Sequence, residues 1–256
     1  VEGRLVPTEA ELARREGRSY ETGEQLLQCI LENRRSQWQG KGKYKEPTAP
    51  DTTDLPVLPK GWVCATVEQI TTEMMNGYGK RSQVGGKPQV VLRLADIVDG
   101  EISLADVRRI NCTDAEVDKY ALQVNDLLVL RVNGSPDLVG RFVFVHHTPV
   151  VALYCDHFIR ARCVTSDLAI WLSAYSDVER CRRYIALNKV SSAGQNTINQ
   201  GVLSQLAISL PPVSEQHRIV AEVDRRLSIV REAEAEVDTS LKRAQALRQA
   251  VLTRAF

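Results

Sequence analysis

The sequence predicts an α+β protein: a mixed, mostly antiparallel β domain, with a short helical segment in front of it and a long coiled-coil-forming helix behind. Three observations carry that expectation. From Trp62 onward, short segments rich in Val, Leu, Ile and Phe, such as QVVLRLADI, NDLLVLRVN and GRFVFVHH, are separated by DG, NGSPD and HTP turn signals, the grammar of strands joined by reversals. Between 166 and 187 the apolar residues switch to helical spacing. From 213 to 256 no Gly or Pro interrupts an apolar repeat at steps of three, four and seven.

The elements follow in order. Thr8 with Glu11 and Thr22 with Gln25 are capping boxes, which predict helices near 8–16 and 21–38 inside a helical segment over 1–45. The run GKGKYKEPTAPDTTDLPVLPKG then loses all periodicity, so 46–60 reads as a linker. A domain over 61–210 follows. Within it Leu168, Trp171, Leu172, Tyr175, Val178, Tyr184 and Leu187 mark the core face of the helical stretch, and Trp62 and Trp171 belong to the core because each sits in an apolar period.

The stretch LPPVSEQHRIVAEVDRR ends this domain. Its prolines stop the last strand, Ser214 suits an N-cap, and Glu215 falls in the first turn, where the helix dipole favours an acid. Ile219, Val223, Leu227, Val230, Val237, Leu241, Ala244, Leu247 and Val251 then form the stripe of a rod about 60 Å long over 211–256. Charged on its other faces, such a rod needs a partner for the stripe: another helix of a coiled coil, or residues 8–38 of the same chain.

Composition bounds the function. With 256 residues, 43% of them hydrophobic, a real core is available, and a net charge of +1 gives no global signal for or against nucleic acid. Six cysteines form no Cys-x-x-Cys pair and sit mostly in apolar runs, which suits buried thiols in a reducing cytoplasm. No segment approaches the roughly 20 apolar residues of a membrane span. The chain opens on Val1 in mid-phrase, which suggests a piece of a longer protein.

The motifs exclude more than they assign. GYGKRSQVGGKP is not a P-loop, since Arg81 stands where the first Gly is required and Pro88 follows Lys87. It reads instead as a basic loop whose Lys80, Arg81, Gln83 and Lys87 can reach phosphates or base edges, with a solvated hairpin as the competing reading. His146, His147, Cys155, His157 and Cys163 match no zinc spacing, so no metal is expected. In RVNGSPDLVGR, Asn133 and Gly134 suit a tight reversal flanked by Arg131 and Arg141, groups that pair with guanine and, for Asn, adenine, although a hairpin with ordinary surface arginines is the stronger reading from the residues alone. Arg93 and Ser135 join the same candidate set. The acid-free stretch NKVSSAGQNTINQG adds Lys189, Ser191, Ser192, Gln195 and Asn196 as donors for phosphates and bases, although a plain loop accounts for it nearly as well. No methyltransferase signature or Ser-His-Asp context occurs, and Asp96, Asp99 and Asp106 fall in turns, so the chain reads as non-catalytic.

The ordered phrases GRLVPTEAELARREGRSY, LPKGWVCATVEQI, NDLLVLRVNGSPDLVGR and SSAGQNTINQGVLSQLAISLPPVSEQHRIV resemble the DNA-specificity subunits of type I restriction-modification enzymes over nearly the whole chain. The resemblance implies a target-recognition domain over 61–210 that reads one half of a bipartite double-stranded DNA site. It also implies a conserved helix that sets spacing and docks methyltransferase (modification) subunits, with restriction subunits beyond them. Cofactors would then lie on the partners, S-adenosylmethionine on one and ATP with Mg on the other, and none on this chain. The start and finish look like pieces of two copies of one helical region, and one recognition domain stands where the family has two. That leaves the C-terminal half of a longer subunit or a half-sized subunit that forms a homodimer through its helix. A family-typical Gly before Asp126 is here Asn125, which keeps turn propensity. Two other readings stand beside it: a coiled-coil adaptor that binds no DNA, and a small metal-dependent hydrolase.

Overall fold

The computed structural model describes residues 3–38, 40, 42–51, 53, 57–81 and 84–255. Helix α1 (Glu9–Glu16) starts at the Thr8 capping box and ends on Gly17, whose φ of 65° takes the left-handed turn that releases the chain. Helix α2 (Gly23–Ser36) starts at the second box, Thr22 with Gln25. Its first residue has to be small: a Cβ on Gly23 would sit 2.3 Å from the Leu210 carbonyl oxygen, and its amide donates to Gly61 at 2.7 Å. Through that contact the N-terminal segment packs on the domain, with Ile30 in the core and Leu26 and Leu27 against it.

Strand β1 (Val63–Thr66), helix α3 (Val67–Ile70) and strand β2 (Thr71–Asn76) open the domain, followed by β3 (Lys87–Leu92), the ribbon β4 (Ile97–Val98) and β5 (Glu101–Ile102), and β6 (Arg109–Cys112). Helix α4 (Asp114–Tyr120) leads to β7 (Asp126–Leu130), β8 (Val132–Asn133), β9 (Phe142–Phe144), β10 (Ala152–Tyr154) and β11 (Phe158–Cys163). Asn125 enters β7 at φ 72°, so the residue in place of Gly does adopt the left-handed conformation. Helices α5 (Ser166–Tyr175) and α6 (Glu179–Asn188), the hairpin β12 (Val190–Ser192) and β13 (Gln195–Thr197), helix α7 (Gln200–Ser204), strand β14 (Ala207–Leu210) and helix α8 (Val213–Ala255) complete the chain.

The strands pair mostly antiparallel. One sheet runs β2-β11-β7-β9 and a second β10-β3-β6, in which β10 and β3 are parallel. A small sheet joins β12, β13 and β8, and β14 closes the domain on β1. Two apolar cores result. One packs Trp62 and Trp171, whose rings meet edge to face at 6.3 Å, with α5 and the first turns of α8; the other lies under β3, β6 and β10. Arg160, 2% exposed, crosses between layers and donates to the Lys119 and Ala121 carbonyls and to Glu73. It ties the end of α4 to the larger sheet.

Several expectations need correction. The helical stretch 166–187 is two helices, broken between Tyr175 and Glu179, and the change of axis points Cys181 and Ile185 inward while Leu187 is 75% exposed. The cysteines are not all buried: Cys29 is exposed on α2. Helix α8 starts at Val213, so Ser214 lies inside its first turn; the Pro212 carbonyl already accepts from Glu215 and Gln216. Of the nine stripe residues, Ile219 is buried in the domain core and Val223 packs against it, so these two serve the chain's own fold and not a partner. The other seven, from Leu227 to Val251, are exposed, and from Asp224 the helix runs on for about 45 Å with its apolar stripe bare. No helix among the described residues is long and apolar enough to cross a membrane.

Glu215 explains why the exit is fixed. Fully buried, it accepts from the Glu9 backbone amide at 2.8 Å and from the Trp62 indole at 3.0 Å, joining α1, the domain and α8 in one carboxylate. Glu9 is itself ion-paired to Arg18 at 2.6 Å and Arg218 at 2.7 Å. Burial would raise the Glu9 carboxyl, but these guanidiniums outweigh it and hold it low, whereas burial dominates at Glu215 and pushes that carboxyl up.

Glu215→Ala leaves two buried donors unmatched and is expected to cost about 2–4 kcal/mol, measured by denaturant unfolding. Glu215→Gln is expected to cost less. A carboxyl whose folded value lies above its unfolded value of 4.5 adds stability below that pH and loses it as pH rises through the folded value. The deficit of Glu215→Gln relative to the parent should therefore shrink as pH is raised above 4.5.

Candidate nucleic-acid interface

Three polar segments far apart in sequence meet at one edge of the domain. The first is the loop after β2. Its Tyr78 bridges Cys155 in parallel register, and Arg81 grips Asp156 with two contacts of 2.9 and 3.3 Å, which hold the guanidinium's proton more firmly. The second is the chain after β7: the amides of Arg131 and Val132 donate to the His157 carbonyl, and Arg131 Nη1 donates to the Asp156 carbonyl at 3.0 Å. The third is the β12–β13 hairpin, where Asn196 pairs with Asn133 across the small sheet. The turn 155–157, linking β10 of one sheet to β11 of the other, anchors the first two segments directly and the third through β8.

Asn196 locks the hairpin to the loop after β8. Its side chain accepts from Ser191 Oγ at 2.7 Å and donates to the Gly134 carbonyl at 3.0 Å, and it is only 9% exposed. Asn133 Oδ1 in turn accepts from the Ser135 amide at 2.8 Å. Asn133 and Gly134 are thus not the tight reversal the sequence suggests: Asn133 ends β8, and a wide loop follows to β9. The two-residue reversal lies at Ala193 and Gly194, with φ of 49° and 76°, the positive values a hairpin of this kind requires at both centres. Ser191, Ser192 and Gln195 flank it and are exposed.

The remaining candidates divide. Lys80 is ion-paired to Glu116 at 2.7 Å, and Lys87, 77% exposed, is 4.0 Å from Asp114. Gln83 lies outside the described residues. Arg93 is committed to structure, gripping Asp96 at 2.8 Å and bonding the Asp106 carbonyl at the start of a short 3-10 turn. Arg141 does not face the same way as Arg131: its Nε donates to the Asp137 carbonyl at 3.0 Å and its Nη1 lies 3.6 Å from Asp177 at the α5–α6 corner. Lys189 is half-buried at the end of α6.

Two residues that matter here escape sequence reasoning. Arg182 on α6 reaches under the wide loop and donates to the Asp137 and Val139 carbonyls at 2.9 and 2.8 Å, and burial lowers the proton affinity of its guanidinium. Arg108, before β6, comes within electrostatic reach of Cys155, whose thiol burial pushes up. In sequence both look like solvated surface charges. No group of three or more His, Cys, Asp or Glu residues placed to hold a metal occurs among the described residues.

Fold and edge together describe an α+β domain that gathers amide, hydroxyl and guanidinium donors on one rim and carries a long helical arm. No protein-family model matches the chain. It is 36% identical over 197 residues to the type I restriction enzyme StySPI specificity subunit of Salmonella potsdam, an alignment covering 77% of this chain and 42% of that subunit. The EcoKI specificity subunit of Escherichia coli K12 is 29% identical over 192 residues, covering 74% and 41%. A solved chain from work on complex assembly and conformational transition of the type I R-M system superposes with a TM-score of 0.53 at 19% identity, over 91% of this chain and 52% of its own, which is likeness of fold. The chain is a relative of type I restriction enzyme specificity subunits, and it spans about two fifths of the length of those it matches.

Asn196→Ala should unfasten the hairpin from the loop after β8. A loss of about 1–2 kcal/mol is expected from the unmatched groups, with amide exchange accelerated at Ser191 and Gln195 and little changed in β7. By contrast, Arg93→Ala should lower the unfolding midpoint and leave any ligand affinity of the rim unaltered, which parallel denaturation and binding titrations would check.

Proposed function

We propose that this chain is a non-catalytic specificity module of a type I restriction-modification complex that reads one half of a bipartite double-stranded DNA site through the rim and docks methyltransferase subunits through α8. The single observation that carries this is the convergence of the 77–81 loop, the 131–141 turn and the 190–197 hairpin on one rim, in a chain whose relatives are specificity subunits. Exposed Ser192 and Gln195 suit base edges, while Lys80, Arg81, Lys87 and Arg131 suit phosphates, so affinity falls steeply with salt. S-adenosylmethionine, ATP and Mg belong to partner modification and restriction subunits, and the assembly works in the cytoplasm.

The bare stripe of α8 supports helix pairing. Two copies packed through Leu227, Val230, Val237, Leu241, Ala244, Leu247 and Val251 form a homodimer that presents two rims a fixed distance apart and reads a two-fold symmetric site. Leu241→Asp with Leu247→Asp is expected to abolish self-association and methyltransferase docking in sedimentation and pull-down assays while leaving the domain's thermal midpoint within a few degrees. For the rim, Arg131→Glu combined with Gln195→Ala should weaken duplex binding at least about tenfold with assembly intact. Unchanged duplex binding would instead favour the adaptor reading, in which α8 alone carries the function.

A further inference from the structure

We infer that the turn 155–157, where the two sheets join, is a seat for a backbone phosphate of duplex DNA, formed by Arg108, Arg131 and Arg81, with Asp156 as the built-in carboxylate that the phosphate displaces from Arg81. The inference rests on the DNA-reading function proposed above, and it assigns Arg108, which no sequence motif marks.

Arg81 and Arg131 reach Asp156 from separate places, and Arg108 lies within electrostatic reach of the adjoining Cys155. Arg108 immediately precedes β6, and its carbonyl accepts from Val91 beside the Leu92–Tyr154 register pair, which Cys155 follows directly. Arg131 comes from the end of β7 and donates to the Asp156 backbone carbonyl, which leaves the Asp156 carboxylate to Arg81. The Nε atoms of Arg108 and Arg131 are buried without a partner, and both residues are partly exposed overall. Among the described residues Arg108 makes no ion pair and no side-chain hydrogen bond. A half-buried cation left without a counter-charge is costly in a purely structural role, and a planar guanidinium is the group best matched to phosphate oxygens.

The Asp156 carboxylate is bonded to Arg81, and its side chain is 32% exposed. Its bond to Arg81 holds that arm in place and lowers the local positive potential until a phosphate takes over, as expected of a site that must release non-target DNA. The seat also adjoins the Asn133–Asn196 tie, so one phosphate contact would fix the register of the hairpin that carries Ser192 and Gln195.

The test is a salt titration of the full chain on a labelled short duplex of mixed sequence, from about 50 to 200 mM salt, for the parent, Arg108→Gln, Arg108→Lys, Asp156→Asn and, as a control for loss of one surface charge, Arg14→Gln on α1. Arg108→Gln should weaken binding on every duplex alike and reduce the slope of log affinity against log salt by about one, Arg108→Lys should keep the slope, and Arg14→Gln should change neither. Asp156→Asn, which keeps the backbone carbonyl used by Arg131, should tighten binding severalfold, and this arm decides the matter if Arg108→Gln fails to fold. Equal slopes for the parent and Arg108→Gln, or weaker binding by Asp156→Asn, would overturn the seat while leaving the DNA reading in place. A parent that binds no duplex at any salt would overturn the DNA reading and the seat together.

Discussion

The architecture depends on one buried carboxylate. Glu215 takes the Glu9 amide and the Trp62 indole at once, so the N-terminal helices, the first strand and the root of the long helix cannot move independently without exposing an unmatched donor or a buried charge. Arg18 and Arg218 extend the knot by neutralising Glu9 beside it. Around it the chain is closed geometrically as well: β1 pairs with β14, and Gly23 packs against the Leu210 carbonyl just before α8 begins. An arm that leaves the domain from such a root has a defined direction, which a helix set on a flexible linker would not have.

A second joint lies where the two sheets exchange strands. The turn between β10 and β11 receives hydrogen bonds from the β2–β3 loop and from the end of β7, and through β8 it is linked to the β12–β13 hairpin. Loops that would be mobile alone are thereby supported on regular structure, with Asn196 and Arg182 clamping them from below. The proposed function relies on this support: donors that read a ligand must be held in place before the ligand arrives, or the cost of ordering them is subtracted from affinity.

What was legible in the sequence was local. The boxes Thr8–Glu11 and Thr22–Gln25 require only contacts three residues apart, and they place α1 and α2 to within two residues. Apolar runs marked the main strands, and the stripe of α8 marked a partner-seeking helix, although its first members turned out to serve the domain's own core. The rim was legible as composition but not as geometry. Strands β8, β12 and β13 are short and polar, and their pairing joins Asn133 to Asn196, 63 residues apart, which no periodicity signals. Asn133–Gly134 carries the stronger turn signal, yet the tight turn falls at Ala193–Gly194 because the small sheet imposes it. The acids that engage Lys80, Arg81 and Arg141 are tertiary partners, so a list of basic residues could not separate Arg81 from Arg93 or anticipate Arg108.

The central proposal, that a single rim carried with the long helix delivers sequence specificity, is tested most directly by expressing the chain with the modification subunits of its own host and mapping methylated bases across the genome. The account predicts methylation confined to a two-part motif whose halves are inverted copies, as two identical rims held apart by paired helices require. A stable complex that leaves no sequence-confined methylation would contradict it.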